Sequence, residues 1–144
     1  MTQVAFHFGA PDKLAYAPRL LRKAVATGSR ILVLADSELL QQLDAALWAG
    51  ATTDFRPHCL AQAAPAVLSR SPIVLAEPGE DSFAPAFDVL LNLSATIPQS
   101  IERYQRVIEV VSTDDEDRAL ARQRWKWYTE HGYAIDRHDL QLRS

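Results

Sequence analysis

The stretch Arg30-Ile31-Leu32-Val33-Leu34-Ala35-Asp36-Ser37 constrains the fold more than any other part of this chain. From Ile31 to Ala35 it shows no alternation of apolar and polar residues, so a strand made from it must be covered on both faces. Asp36-Ser37 then supplies a helix N-cap, and Leu39, Leu43 and Leu47 form an apolar stripe along a helix expected over Glu38 to Trp48 and ended by Gly50. A doubly covered strand that leads straight into an amphipathic helix is half of a βαβ unit.

The same alternation recurs along the chain. Val4 to Phe8 is β-prone and closed by Gly9-Ala10-Pro11. Leu14 to Ala26 is helical by pattern, with Leu14, Leu21 and Val25 on one face; Pro18 sits awkwardly in it and can shift the helix start past itself. Pro72 to Ala76, Asp88 to Leu93 and Val107 to Val111 read as strands, the last being the final clear one. A short helix is expected around Ser100 to Tyr104. Thr113-Asp114-Asp115-Glu116 has the capping-box spacing for a terminal helix. Ala51 to Arg70 is less regular. With 144 residues, the expectation is a single domain over 1–144, an α/β three-layer sandwich with a mostly parallel sheet.

A sheet of this kind invites a search for nucleotide machinery, and none is found. Neither G-x-G-x-x-G nor G-x-x-x-x-G-K-[ST] occurs among the five glycines of the chain. The turn after Ala35 places carboxylates where a phosphate would sit. The topology is therefore expected to be Rossmann-like without a nucleotide-binding loop and without a cofactor. Cys59 is the sole cysteine, which excludes an internal disulfide and a zinc site built on paired cysteines and fits a reducing, cytoplasmic setting. The N-terminus does not read as a signal peptide, and no stretch approaches the roughly 20 apolar residues of a membrane span. His58 adjoins Cys59 in sequence, a poor arrangement for a thiolate–imidazole pair. His7 reads as a strand histidine. His131 and His138 lie near Asp136 and Asp139, where a metal would need a third ligand and a fixed scaffold. No catalytic group and no metal site are expected.

One stretch stands out against a formal net charge of -3: RALARQRWKWYTEHGY, residues 118–133, with four cations and four aromatics. At about 100° per residue, Arg118, Arg122, Trp125 and Lys126 share an arc of roughly a quarter turn, whereas Arg124 points about 160° away from Arg122. Two readings fit this spacing. The stripe is either a solvated basic face balancing the acidic first turn, or a shallow site for a short acidic peptide carrying an aromatic or a free carboxylate. The low net charge disfavours a third use, direct stacking of single-stranded DNA on Trp125 and Trp127.

The order and spacing of four segments resemble the chi subunit of bacterial DNA polymerase III. They are Leu43 to Ala49 followed by Phe55-Arg56-Pro57-His58, then Asp88 to Leu93, Asp117-Arg118 through Lys126, and Gly132-Tyr133. The resemblance spans nearly the whole chain. It implies a non-catalytic replisome adaptor that bridges the clamp loader, usually through the psi subunit, to the acidic C-terminal tail of single-stranded-DNA-binding protein. The tail-binding residues would map to Arg118, Arg122, Trp125 and Lys126, with Arg122 on the terminal carboxylate and Trp125 where the family often has tyrosine. The psi-facing surface would map to Trp48, Phe55 and Pro57. Its partner is psi, the clamp loader directly, or a helicase competing for the same surface. The residues themselves leave open whether Trp48 and Phe55 are exposed anchors or core side chains. The rival class is a nucleotide-binding or nucleic-acid-processing enzyme on the same fold.

Overall fold

A computed structural model of the chain describes residues 2–49, 58–60, 72–78, 87–98 and 101–140. In chain order the elements are β1 (Gln3–Ala10), α1 (Lys13–Ala26), β2 (Ile31–Leu34), α2 (Ser37–Ala49), β3 (His58–Leu60), β4 (Ile73–Ala76), β5 (Val89–Asn92), a 3₁₀ turn (Ile101–Arg103), β6 (Arg106–Ser112), α3 (Asp115–Glu130) and β7 (Ile135–Asp139). Among the described residues the strands form one seven-stranded sheet, ordered β3-β4-β2-β5-β6-β1-β7. Every pairing is parallel.

The uninterrupted apolar runs explain the layering. Alternate residues of one strand supply opposite cores. Leu32 and Leu34 join Val4, Phe6, Val107, Ala121 and Tyr128 under α3. Ile31 and Val33 join Ala17, Leu21, Leu40, Leu43 and Val110 under α1 and α2. The result is a three-layer sandwich, with α1 and α2 on one face of the sheet and α3 on the other.

Several local readings change. β1 does not stop at Phe8: Gly9, at φ 83°, carries the chain through a register shift and Ala10 pairs with Ser112. A positive φ there suits glycine, which has no Cβ to clash. Pro18 lies inside α1, whose start is fixed earlier by Asp12; its carboxylate accepts from Leu14 N at 2.9 Å. One forfeited backbone bond is offset by that cap and by the burial of Ala17 and Leu21. The cap of α3 is Asp114, one residue later than the capping-box spacing suggested, with Asp117 N donating to its Oδ2 at 3.0 Å.

Val107 to Val111 is not the last strand. β7, Ile-Asp-Arg-His-Asp, lacks an apolar pattern because it is an edge strand, held by its ladder to β1 from Val4↔Ile135 to Phe8↔Asp139. β3, a second edge strand, lies within the stretch that read as irregular. No helix among the described residues is long and apolar enough to cross a membrane.

Candidate functional site

In a parallel α/β sheet, ligands gather outside the carboxyl ends of the strands, where successive connections leave to opposite faces. Here that point lies between β1 and β6. The chain leaves β1 for α1 on one face, while neighbouring β6 leads to α3 on the other. A cavity of about 620 Å³ opens there, lined by Phe6, Phe8, Arg118, Arg122, Trp125 and Arg137 among others.

Three devices hold α3 against this cleft. At its start, Asp117 accepts hydrogen bonds from Ser112 N at 2.7 Å and Ser112 Oγ at 2.9 Å, and pairs with Lys13 Nζ at 3.0 Å. This fastens the helix both to the end of β6 and to the start of α1. Burial pushes the Asp117 carboxyl up, but the Ser112 amide and Lys13 outweigh it and hold the group below its ordinary value of 3.8. A depressed carboxylate contributes stability that is complete above the unfolded value and lost as pH falls through the folded one. We therefore expect the stability gap between wild type and Asp117→Asn to be constant above about pH 4 and to shrink as pH drops further, read from urea midpoints across an acid series.

At its end, α3 closes with Gly132 at φ 85°, Tyr133 N donating to Tyr128 O at 3.0 Å and Gly132 N to Thr129 O at 3.1 Å. That is a Schellman closure, and it turns the chain directly into β7.

Between the ends, the rotation of α3 is set by a buried ion pair. Arg124 is 1% exposed and its Nε donates to Glu109 Oε1 at 2.9 Å. Glu109, fully buried, also accepts from Tyr128 OH at 2.8 Å and from Asn92 Nδ2. Burial pushes the Glu109 carboxyl up, with Arg124, Asn92 and Tyr128 pulling against it. Burial and the neighbouring carboxylate drive the Tyr128 phenol far above its usual range, so it remains a donor. Arg124 is thus a core residue rather than an outlying surface cation. The inward face of the helix runs through Ala121, Arg124 and Tyr128.

With that rotation fixed, the basic stripe falls at the rim of the core. Arg118 and Arg122 are exposed and line the cleft. Arg118 lies 3.9 Å from Asp115. Trp125 is half-buried at the cleft floor, edge-on to Phe6 with ring centroids 5.0 Å apart. Lys126 does not line the cavity; it is 78% exposed and 3.9 Å from Glu130. A cation absent from the expected set joins from the sheet: the Arg137 guanidinium lies 5.3 Å from the Phe8 ring centroid and 5.8 Å from that of Trp125. Only the pairing of β7 with β1 brings it there, and β7 has no periodicity to announce it.

Phe55 and Pro57 lie outside the described residues. Of Trp48 only the backbone is described, at the C-terminal end of α2, which in a parallel sandwich is the end opposite the cleft and here the opposite face. The side chains of His58 and Cys59 in β3 lie outside the description. His7 Nδ1 is 2.6 Å from Tyr16 OH and its ring is 4.5 Å from that of His138; His131 stacks on Trp127 at 4.0 Å. Among the described residues no three His, Cys, Asp or Glu side chains gather as a metal site would require.

Among the described residues, each of the three α-helix N-termini is already occupied by a carboxylate. Asp12, Asp36 and Asp114 accept from Leu14 N, Leu39 N and Asp117 N at 2.9, 2.9 and 3.0 Å. The donors that would cradle a phosphate at this edge of the sheet are used, and by anions.

Comparison with known proteins places the chain in a family. The family model described as DNA polymerase III chi subunit, HolC, matches residues 1–136. The chain is 33% identical over 148 residues to the DNA polymerase III subunit chi of Pseudomonas aeruginosa, covering 97% of this chain and 98% of that protein. It is 30% identical over 111 residues to the same subunit of Escherichia coli strain K12, covering 76% of this chain and 74% of that one. A helix-rimmed α/β sandwich matched by the family model over residues 1–136, and by the Pseudomonas subunit almost end to end, belongs to the DNA polymerase III chi subunit family, accessory subunits of the replicative polymerase.

Proposed function

We propose that the chain is a non-catalytic, cytoplasmic adaptor that holds the acidic C-terminal tail of single-stranded-DNA-binding protein in the cleft beside α3 and tethers it to the clamp-loader complex. The observation that carries this reading is the cleft itself: guanidinium groups from α3 and β7 rim an aromatic floor in a chain that is acidic overall. Guanidinium forks suit carboxylates, and the floor of Phe6, Phe8 and Trp125 suits an apolar side chain next to one. A polyanion such as DNA would meet a repulsive net charge outside this spot.

The clamp-loader face would be the surface around Trp48, Phe55 and Pro57, with psi, the clamp loader itself or a competing helicase as the partner. The position of the α2 terminus, remote from the cleft, supports two partners bound at once.

The test is titration of the full chain with a peptide copying the acidic end of the cognate single-stranded-DNA-binding protein. Saturable binding that weakens with salt is expected, because exposed charges are screened beyond about 8 Å at physiological ionic strength. Absence of binding, or equal binding of a scrambled acidic peptide, overturns the reading. ATP, titrated in the same calorimeter, is expected to give no saturable heat, since the N-termini of α1, α2 and α3 carry their own carboxylates. Micromolar ATP binding would favour an enzyme on this fold instead.

A further inference from the structure

We propose that a second groove, on the flank of α3 opposite the cleft, docks an extended, proline-containing protein segment that carries a basic residue. The groove is a cavity of about 540 Å³ lined by Ile97, Pro98, Ile101, Glu102, Trp127 and Tyr133 among others. It shares no residue with the tail-binding cleft. Trp127 follows Trp125 by two residues, about 200° around the helix, so the two tryptophans open onto opposite flanks. Among the described residues, Ile97 is the large hydrophobic side chain left exposed. The walls are set before any ligand arrives. Asn92 Nδ2 donates to Thr96 O at 2.9 Å and Arg124 Nη1 to Ala95 O at 3.3 Å, which pins the loop carrying Ile97 and Pro98. Thr2 Oγ1 lies 3.2 Å from Ile101 O and 2.7 Å from Tyr104 O, which fixes the 3₁₀ turn. His131, also in the lining, stacks on Trp127 at 4.0 Å, and its Nδ1 donates to Trp127 O at 2.8 Å. The Schellman closure sets Tyr133. A groove ordered in this way loses less affinity to ordering on binding.

Three polar groups of this lining have no use inside the chain. The Trp127 indole N–H, the Tyr133 hydroxyl and the Glu102 carboxylate make no hydrogen bond or ion pair within it, and none is sealed from solvent. The groove therefore offers two donors beside apolar surface, and one anion. An α-helix or a paired strand arrives with its carbonyls already engaged. A polyproline II segment has no internal hydrogen bonds, so its carbonyls are acceptors for such donors. Its prolyl rings are compact apolar bodies with no side-chain entropy to lose, and grooves lined by aromatic residues bind segments of this kind. The walls are a loop, a 3₁₀ turn and a helix end rather than a sheet edge, so addition of a strand is not the mode. Among the described residues no lysine or arginine lines the groove, and exposed Glu102 does. That charge repels an acidic segment and favours a lysine or arginine beside the prolines.

The experiment uses the full chain and a fluorescently labelled, C-terminally amidated decapeptide of prolines interrupted by two leucines and one arginine. A second decapeptide has every proline replaced by alanine. Fluorescence anisotropy should show saturable binding of the proline peptide and much weaker binding of the alanine one. Tyr133→Phe and Trp127→Phe each keep an aromatic face but remove a donor, and each should weaken the proline peptide about three- to tenfold, the scale of one hydrogen bond. Glu102→Gln should weaken it about two- to fivefold, as for an exposed ion pair. Glu38→Gln removes the same charge from exposed α2, on the other face of the sheet, and should stay within twofold. Circular dichroism melts confirm that each variant is folded. The unlabelled acidic peptide of the previous test should not displace the proline peptide, because the two would occupy opposite flanks of α3. No saturable binding up to millimolar protein overturns the proposal, as does equal binding of the alanine peptide. So does displacement by the acidic peptide, which would put both ligands in the cleft. If Tyr133→Phe and Trp127→Phe both stay within twofold, the groove is not the site. None of these outcomes bears on the adaptor reading, which is tested by the acidic peptide alone.

Discussion

Arg124→Ala is expected to destabilise the protein by about 3–5 kcal/mol, the cost of leaving one member of a buried ion pair without its partner. That is a large share of the roughly 5–15 kcal/mol by which a domain is stable, so much of the variant should be unfolded in mild urea. Glu109 would be left fully buried with only Asn92 and Tyr128 as donors. Its carboxyl already lies above the ordinary value of 4.5 because of burial, and Arg124 supplies the opposing charge. Removing the guanidinium raises it further. A carboxyl raised in the folded state contributes stability that is complete below the unfolded value and lost as pH rises through the folded one. The variant should therefore recover toward wild type as pH falls toward 4.5, the opposite trend to the Asp117 series. Urea unfolding at several pH values reads both effects. Arg122→Ala, on the exposed side of the same helix, should stay within about 0.5 kcal/mol of wild type. A comparably mild Arg124→Ala, or a gap indifferent to pH, would mean that the pair does not set the rotation of α3.

The layered fold was legible because burial on two faces leaves no choice of side chain: Ile31 to Leu34, Ile73 to Ala76 and Val89 to Leu91 had to be interior strands. β3 and β7 were not, since an edge strand can be held by backbone hydrogen bonds whatever its side chains. The clue to the core of α3 lay in the strands rather than in the helix. Glu109 interrupts Val107-Ile108-Glu109-Val110-Val111, and Asn92 follows two leucines; in parallel register the two residues are partners. A charge in such a run requires buried donors, and here Asn92 supplies one from the neighbouring strand while Arg124 and Tyr128 supply the others from the facing helix. The helical period set Arg124 about 160° from Arg122, off the basic stripe, but could not name its partner because it carries no information about what lies beneath. It did gather Arg118, Arg122 and Trp125, which the structure brings to one cleft, whereas Lys126 falls beyond the cavity and Arg137 arrives from an element with no signal.

Arg122→Ala is expected to weaken the acidic tail by about ten- to a hundredfold, corresponding to the roughly 1.5–3 kcal/mol of a charge-assisted pair with a carboxylate. Arg124→Ala cannot serve as the comparison, because it would destabilise the helix that carries the site. Arg22→Ala can: Arg22 is exposed on α1, on the other face of the sheet, and its loss changes net charge by the same amount. It should alter affinity by less than about twofold at physiological salt, where charges beyond roughly 8 Å are screened. Amidating the peptide's C-terminus removes the group that Arg122 is proposed to hold, so it should weaken wild type to a similar extent. The decisive quantity is the double change. If Arg122→Ala and amidation each cost tenfold or more but together cost little more than either alone, the two groups interact, since independent losses would multiply. If Arg22→Ala weakens binding as much as Arg122→Ala does, only net charge matters and the cleft is not the site. If the two losses multiply in full, Arg122 contacts an acidic side chain upstream, and the terminal carboxylate must find its donors elsewhere in the cleft.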